Sequence, residues 1–380
     1  MLSRKTATGT LCAAIIAGAL LFPSTSRGEE ADYIDWGVCG SDFGAALKQW
    51  EKGQKWSDDD NFFISRVKPR QRFINRNTQI DPSIDETNDK NLIFWVPIND
   101  SDRNALPSGD FDSEVFPMWS YITHYGNWSA PMLRVPGVFL DVAHRNGVPV
   151  SAVASIPYGP ISESWENGLK DLTEAGAEKL VDYLIYYGVD GIGYNSEFQA
   201  KPSLVKKLMQ LHEETLAGMA LKGNNASEFI WYDGTNINGA ITFDLGLGNH
   251  NRDIFGSYPA KRSSLFLNYN WNDASLLERS VREAENIGRS PLDLYCGINM
   301  QGREPHNVNP EIWTLLSRYP MSIGLWGAHA RNMFFESRAE QGSSPEVRQR
   351  TYLERVRRWF SGGQGNPLTA PEITSSAWQK

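Results

Sequence analysis

The chain has 380 residues, room for one large buried core, and its 45 acidic against 37 basic residues give a formal charge of −8. No basic stripe runs along it, which argues against nucleic acid as a partner. With 13 Trp, 14 Tyr and 17 Phe, it is instead well supplied with the aromatic faces on which the apolar C–H face of a sugar settles.

Residues 1–28 read as an export signal. Arg4 and Lys5 precede an apolar run at 11–22, Pro23 breaks it, and Ser26-Arg27-Gly28 offers a small-x-small cleavage site. The run is too short for a transmembrane helix, so the chain is expected to be periplasmic or extracellular. Cleavage takes the formal charge from −8 down by three to −11, because Arg4, Lys5 and Arg27 leave and no acid does. It also leaves Cys39 and Cys296, which are open to pairing but do not make a disulfide framework. Residues 29–90 are polar and turn-rich, with Trp36, Trp50 and Trp56. They read as an N-terminal extension lying against the main domain, and Asp58-Asp59-Asp60 as a solvated loop within it.

From residue 91 short apolar runs recur, at 92–98, 119–124, 148–154, 191–197, 229–233, 265–270, 294–299 and 322–326. Continuous rather than alternating apolar character belongs to strands covered on both faces. Helical patterns separate several of them, at 138–145, 172–187, 203–221, 274–287 and 310–318, and a last one at 345–360 closes the ring. Eight strands alternating with helices predict an α/β fold, a (β/α)8 TIM barrel over residues 91–362, with a tail at 363–380.

Polar and aromatic residues gather where these runs end: Asn99 and Asp100, His124, Asn195 and Glu197, Tyr232 and Asp233, Asn270 and Trp271, Asn299 and Gln301, and Trp326. That end of a barrel is where active sites lie. Within 188–198, Gly188 sits where the preceding helix stops, and alternation along a strand points Asn195 and Glu197 the same way. With Trp95, Trp231 and Phe243, the rim residues His124, Asn270, Trp271 and Trp326 form a candidate substrate-binding set.

Glycoside hydrolysis normally uses two carboxylates. The fourth run offers one carboxylate and one carboxamide, which suits a substrate-assisted route. A 2-acetamido group on the sugar then supplies the nucleophilic oxygen, Asn195 orients it, and Glu197 acts as acid and then base. Such an acid works best protonated, which burial favours.

Asp190-Gly-Ile-Gly-Tyr-Asn-Ser-Glu197 resembles the strand-end motif of glycoside hydrolase family 85. Further matches follow in order: Ala143-His-Arg-Asn-Gly-Val148, Trp231-Tyr-Asp233, Leu267-Asn-Tyr-Asn-Trp271, Ser322-Ile-Gly324 and Trp359-Phe-Ser-Gly-Gly363. The resemblance covers residues 91–365 and implies a mannosyl-glycoprotein endo-β-N-acetylglucosaminidase. It implies cleavage of the GlcNAc-β1,4-GlcNAc core of N-glycans with retention of configuration and without a cofactor. It carries the orienting role onto Asn195, the acid/base role onto Glu197, support of the intermediate onto Tyr232, and a sugar-lining role onto Trp271. Plain barrel packing is the competing role for Tyr232 and Trp271. One departure is Phe243, which stands where the family usually has Trp.

The same eight residues also fall in register with the chitinase-like family 18 motif, Asp-Gly-x-Asp-x-Asp-x-Glu, but Gly193 and Asn195 replace two of its acids. A two-carboxylate glycosidase would need Asp233 or Glu304 close to Glu197. A glycan-binding barrel without catalysis would have lost the acid, and Glu197 is present. Six His without metal-ligand spacing give no reason to invoke a metal.

Overall fold

The computed structural model describes residues 34–35, 38–55, 60–70, 90–96, 105–106, 119, 122–128, 130–256, 263–271, 273–299, 315–316, 318–326, 344, 346–347 and 350. The segment 1–28 read as an export signal, Trp36, Trp56, Asn99, Asp100, Gln301, Glu304, most of the helices expected at 310–318 and 345–360, and the tail lie outside the described residues.

Eight parallel strands close into one barrel: β1 Leu92–Val96, β2 His124–Asn127, β3 Val150–Ala154, β4 Gly191–Tyr194, β5 Phe229–Tyr232, β6 Ser263–Leu267, β7 Leu294–Asn299 and β8 Ser322–Trp326. Each pairs with its neighbours in chain order and β8 pairs with β1, so the barrel has no open edge. The α-helices among the described residues include α1 Phe43–Gln49, α2 Gly137–Arg145, α3 Glu163–Tyr187, α4 Pro202–Leu221, α5 Arg252–Gly256 and α6 Ala274–Asn286. Ser162 caps α3 by accepting from the Trp165 amide, and Gly188 ends it at φ 81°, a left-handed conformation that costs other residues roughly 1–2 kcal/mol.

Side chains alternate along the strands. Outward ones such as Tyr125, Ala152, Ile192, Tyr194 and Trp231 join the large core under the helices. Inward ones build a smaller cluster inside the barrel: Ile93, Trp95, Val153, Ile230, Tyr232, Phe266 and Tyr295. Trp95 and Phe266 fill its middle, ring centroids 5.1 Å apart, and glycines make room for them. A Cβ at Gly126 would lie 2.4 Å from the Trp95 ring, and one at Gly324 would lie 2.2 Å from the Phe266 ring.

Toward the N-terminal ends of the strands the interior turns polar. Glu228 accepts from the Ser264 and Tyr295 hydroxyls and lies 3.3 Å from His124 Nδ1, while His124 Nε2 is 2.7 Å from Ser151 Oγ. Burial lowers the His124 pKa to about 4. The imidazole is therefore neutral, and because a carboxylate only accepts, the network assigns Nδ1 as donor and Nε2 as acceptor.

A second buried network closes the same end from outside. Asp190, immediately before β4, accepts from His144 Nε2 (2.8 Å), the Val150 amide (2.8 Å) and Asn224 Nδ2 (2.9 Å). His144 Nδ1 faces the Val67 carbonyl at 2.5 Å. Asp60, expected in a solvated loop, is instead fully buried, paired with Arg134 Nη1 at 2.7 Å and accepting from the Tyr187 hydroxyl. The segment before the barrel also docks through Phe43 and Trp50, both edge-on to Tyr183 of α3. Cys39 and Cys296 are buried free thiols.

His144 yields a pH prediction. Burial opposes its charge, but the hydrogen bond and charge of Asp190 outweigh that and raise its pKa. Its contribution to stability is therefore complete below about pH 6.5 and is lost as pH rises through the raised folded value. His144→Asn should be less stable than wild type at pH 6, with the gap narrowing toward pH 9 in urea midpoints. A constant gap would contradict the pairing.

Candidate active site

β4 ends at Tyr194, one residue short of the pair that the sequence picks out. Asn195 and Glu197 thus stand on the turn beyond the strand, and their meeting depends on bracing rather than on strand alternation. The Asn195 amide nitrogen bonds the Ala154 carbonyl at 3.0 Å, and its side-chain Nδ2 donates to the Ile156 carbonyl at 2.9 Å, both at the end of β3. Its side chain also hydrogen-bonds Glu197. Burial raises the Glu197 carboxyl above the ordinary range, and the Asn195 hydrogen bond opposes this only in part.

The turn after β5 grips the other side. Thr235 is buried, with its amide 2.5 Å from the Ser196 carbonyl. Its Oγ1 lies 2.8 Å from that same oxygen, 2.7 Å from the Phe198 carbonyl and 3.0 Å from the Phe198 amide. Ser196 Oγ donates to the Tyr232 carbonyl at 2.6 Å. Gly234 lies close beneath Glu197, since a Cβ there would be 2.4 Å from the Ser196 carbonyl and 3.3 Å from Glu197 Cγ. The Gly159 amide holds the Glu197 carbonyl at 2.9 Å.

Aromatic side chains gather at the same end of the barrel. Trp326 ends β8 and meets both Trp128 and Trp95, at centroid separations of 4.7 and 6.0 Å. Tyr232 ends β5 and faces Phe243, Phe266 and Tyr269 at 6.5, 6.0 and 6.2 Å. Phe243 is 40% exposed. Asp233 is engaged by the 244–251 loop and by the residue after β6, accepting from Asn251 Nδ2 and Asn268 Nδ2, both at 2.9 Å. Burial pushes it up to about 8 against those donors. Among the described residues of this turn, one carboxyl, Glu197, thus stands beside one carboxamide, Asn195.

The Glycosyl hydrolase family 85 model matches residues 98–380. The chain belongs to glycosyl hydrolase family 85. Among solved structures it is similar to the Endo-D glycoside hydrolase domain of Streptococcus pneumoniae R6, with 22% identity and a TM-score of 0.62, over 80% of this chain and 48% of that one. It thus spans about half the length of that structure. A family 18 chitinase catalytic domain from the fern Peteris ryukyuensis is 14% identical, with a TM-score of 0.39, over 69% of this chain and 99% of that one. No curated protein matches the sequence.

In this family 85 barrel the sequence-predicted site residues divide. Asn195, Glu197, Tyr232, Phe243 and Trp326 lie at the C-terminal rim or the loops above it, and Asn270 is exposed just past β6. Four expectations need correction. His124 opens β2 rather than ending it, so it sits at the opposite end of the barrel, spent on Ser151 and Glu228. Trp95 is 2% exposed and forms the floor beneath the site instead of its wall. Trp231 points outward among Tyr194, Phe198 and His212 and donates its indole N–H to the Thr235 carbonyl at 2.9 Å. Trp271 is also in the outer core, its N–H donated to the Gly297 carbonyl at 2.7 Å. Sequence reasoning missed Trp128, Tyr269 and Thr235. Trp128 follows the run at 119–124 and Tyr269 lies inside the run at 265–270, so both were within reach, whereas Thr235 carries no local signal.

Trp271 separates packing from binding. Trp271→Phe should leave the Gly297 carbonyl without its donor and lower unfolding stability by about 1–3 kcal/mol, with KM for a glycan substrate unchanged. A raised KM at unchanged stability would return Trp271 to the substrate wall.

Proposed function

We propose that this glycoside hydrolase is an exported endo-β-N-acetylglucosaminidase that cuts the GlcNAc-β1,4-GlcNAc core of N-linked glycans with retention of configuration. The observation that carries the reading is the pairing of a half-buried, upward-shifted Glu197 with Asn195, while Asp233 is engaged elsewhere. Family membership and the ordered motifs support it. The leader pattern with Arg4, Lys5 and Pro23 supports export.

In this mechanism the acetamido carbonyl oxygen of the sugar on the non-reducing side attacks its own C1. Glu197 gives its proton to the departing oxygen of the second GlcNAc, which leaves still attached to the protein. Asn195 orients the acetamido group and stabilises the charge that spreads over the oxazoline-type intermediate. Glu197, now a carboxylate, removes a proton from the water that attacks C1, and the ring reopens. Two inversions give net retention. Tyr232, at the end of β5, supports the intermediate, and Phe243 and Trp326 line the sugar subsites. A raised Glu197 keeps the acid protonated to higher pH, so the alkaline limb of kcat/KM should lie above the ordinary glutamate range.

Intact mass of a glycoprotein with a known N-glycan tests the reading. Wild type should leave one GlcNAc per site, and Glu197→Gln should slow this on the order of 100- to 10,000-fold. An unchanged mass with wild type on high-mannose and complex substrates would sink the proposal. Asn195→Ala should lose glycan hydrolysis yet still process a preformed sugar oxazoline; hydrolysis at the wild-type rate would remove the assigned role.

A further inference from the structure

The peptide groups on both sides of Glu197 are held from outside its own strand. The Ser196–Glu197 peptide presents the Ser196 carbonyl, which the Thr235 amide meets at 2.5 Å. The Glu197–Phe198 peptide presents a carbonyl to the Gly159 amide at 2.9 Å and an amide to Thr235 Oγ1 at 3.0 Å. A hydroxyl has one proton and two lone pairs. That proton faces the Ser196 carbonyl at 2.8 Å and the Phe198 carbonyl at 2.7 Å, while the oxygen accepts from the Phe198 amide. One threonine thus fixes the backbone on both sides of the Glu197 Cα, and with it the direction in which the side chain leaves. Gly234 adds a flat backbone surface against Glu197 Cγ. The Trp231 indole in turn holds the Thr235 carbonyl at 2.9 Å.

We infer that Thr235 is a positioning residue for the acid: through its hydroxyl and amide it holds the turn that carries Glu197, braced from behind by Trp231. The inference rests on the proposed role of Glu197 as general acid. Proton transfer needs the carboxyl within hydrogen-bond reach of the leaving oxygen, and a displacement of about 1 Å can cost on the order of 100-fold in rate. Glu197 stands on a turn past the end of β4, so the strand ladder alone does not supply that precision. Thr235 touches no reacting atom. In the bond-breaking step its effect should therefore appear only where a proton must be delivered to the leaving group. The later water step, in which Glu197 is the base, is common to all substrates and does not enter kcat/KM.

The test compares two substrates of one glycan: a glycopeptide, whose leaving sugar oxygen needs protonation, and an aryl glycoside, whose nitrophenolate leaves without it. Thr235→Val keeps the side-chain shape and removes the hydroxyl. It should lower kcat/KM for the glycopeptide on the order of 10- to 100-fold through kcat, with KM unchanged. For the aryl glycoside kcat/KM, which reports only the steps up to departure of the nitrophenolate, should stay near the wild-type value. Thr235→Ser should restore most of the glycopeptide activity. An equal loss on both substrates, or no loss on the glycopeptide, overturns the inference. Should Thr235→Val fail to fold, Trp231→Phe frees only the Thr235 carbonyl and should show the same split in weaker form; an equal effect on both substrates again overturns it. Glu197→Gln separates this from the underlying reading. If that variant still cleaves the glycopeptide, the acid assignment fails. If it is inactive while Thr235→Val behaves as wild type, the acid stands and the positioning role falls.

Discussion

The buried carboxylate of Asp190 is the contact on which the remaining geometry depends. It stands at the foot of β4 and draws in α2 through His144, β3 through the Val150 amide, and the turn after α4 through Asn224. Through His144 it also reaches Val67 in the segment ahead of the barrel. Removing one partner of such a buried pair leaves an uncompensated charge, which costs far more than an exposed pair ever contributes. Fixing the foot of β4 sets its register against β3, and that register determines where Asn195 and Glu197 emerge at the other end.

Above this foot the barrel interior is layered, and each layer serves the one over it. Glu228, His124, Ser151, Ser264 and Tyr295 form a polar plug whose hydrogen bonds are made within the protein. Trp95 and Phe266 then seal the middle. A site resting on two buried rings has little water beneath it, and this desolvation keeps the Glu197 carboxyl protonated more readily than an exposed glutamate. The glycines facing the rings belong to the same device, since side chains at Gly126 or Gly324 would collide with them.

The barrel was legible in the sequence because strands buried on both faces read as unbroken apolar runs, and β7 and β8 coincide with the expected limits. β2 was displaced because its residues, His124 to Asn127, are not the apolar ones that the run at 119–124 offered. The Asn195–Glu197 pair was found from its chemistry, although strand alternation was the wrong reason for expecting the two side chains to meet. Alternation does explain the error over Trp231. Adjacent strand residues face opposite ways, so Trp231 and Tyr232 cannot both look into the barrel. Thr235 was beyond reach, because its partners lie 37 and 39 residues away in sequence and only the closed ring brings them together.

The two buried cysteines make the molecule its own reporter. Cys39 belongs to the segment packed against α3 and Cys296 to the barrel wall in β7. Burial pushes the Cys39 thiol up to about 12 and raises that of Cys296 as well. Alkylating reagents attack the thiolate, so each sulfur stays silent until its surroundings open. The rate at which a label appears on one or the other therefore distinguishes undocking of the leading segment from breathing of the barrel itself, without any engineered probe.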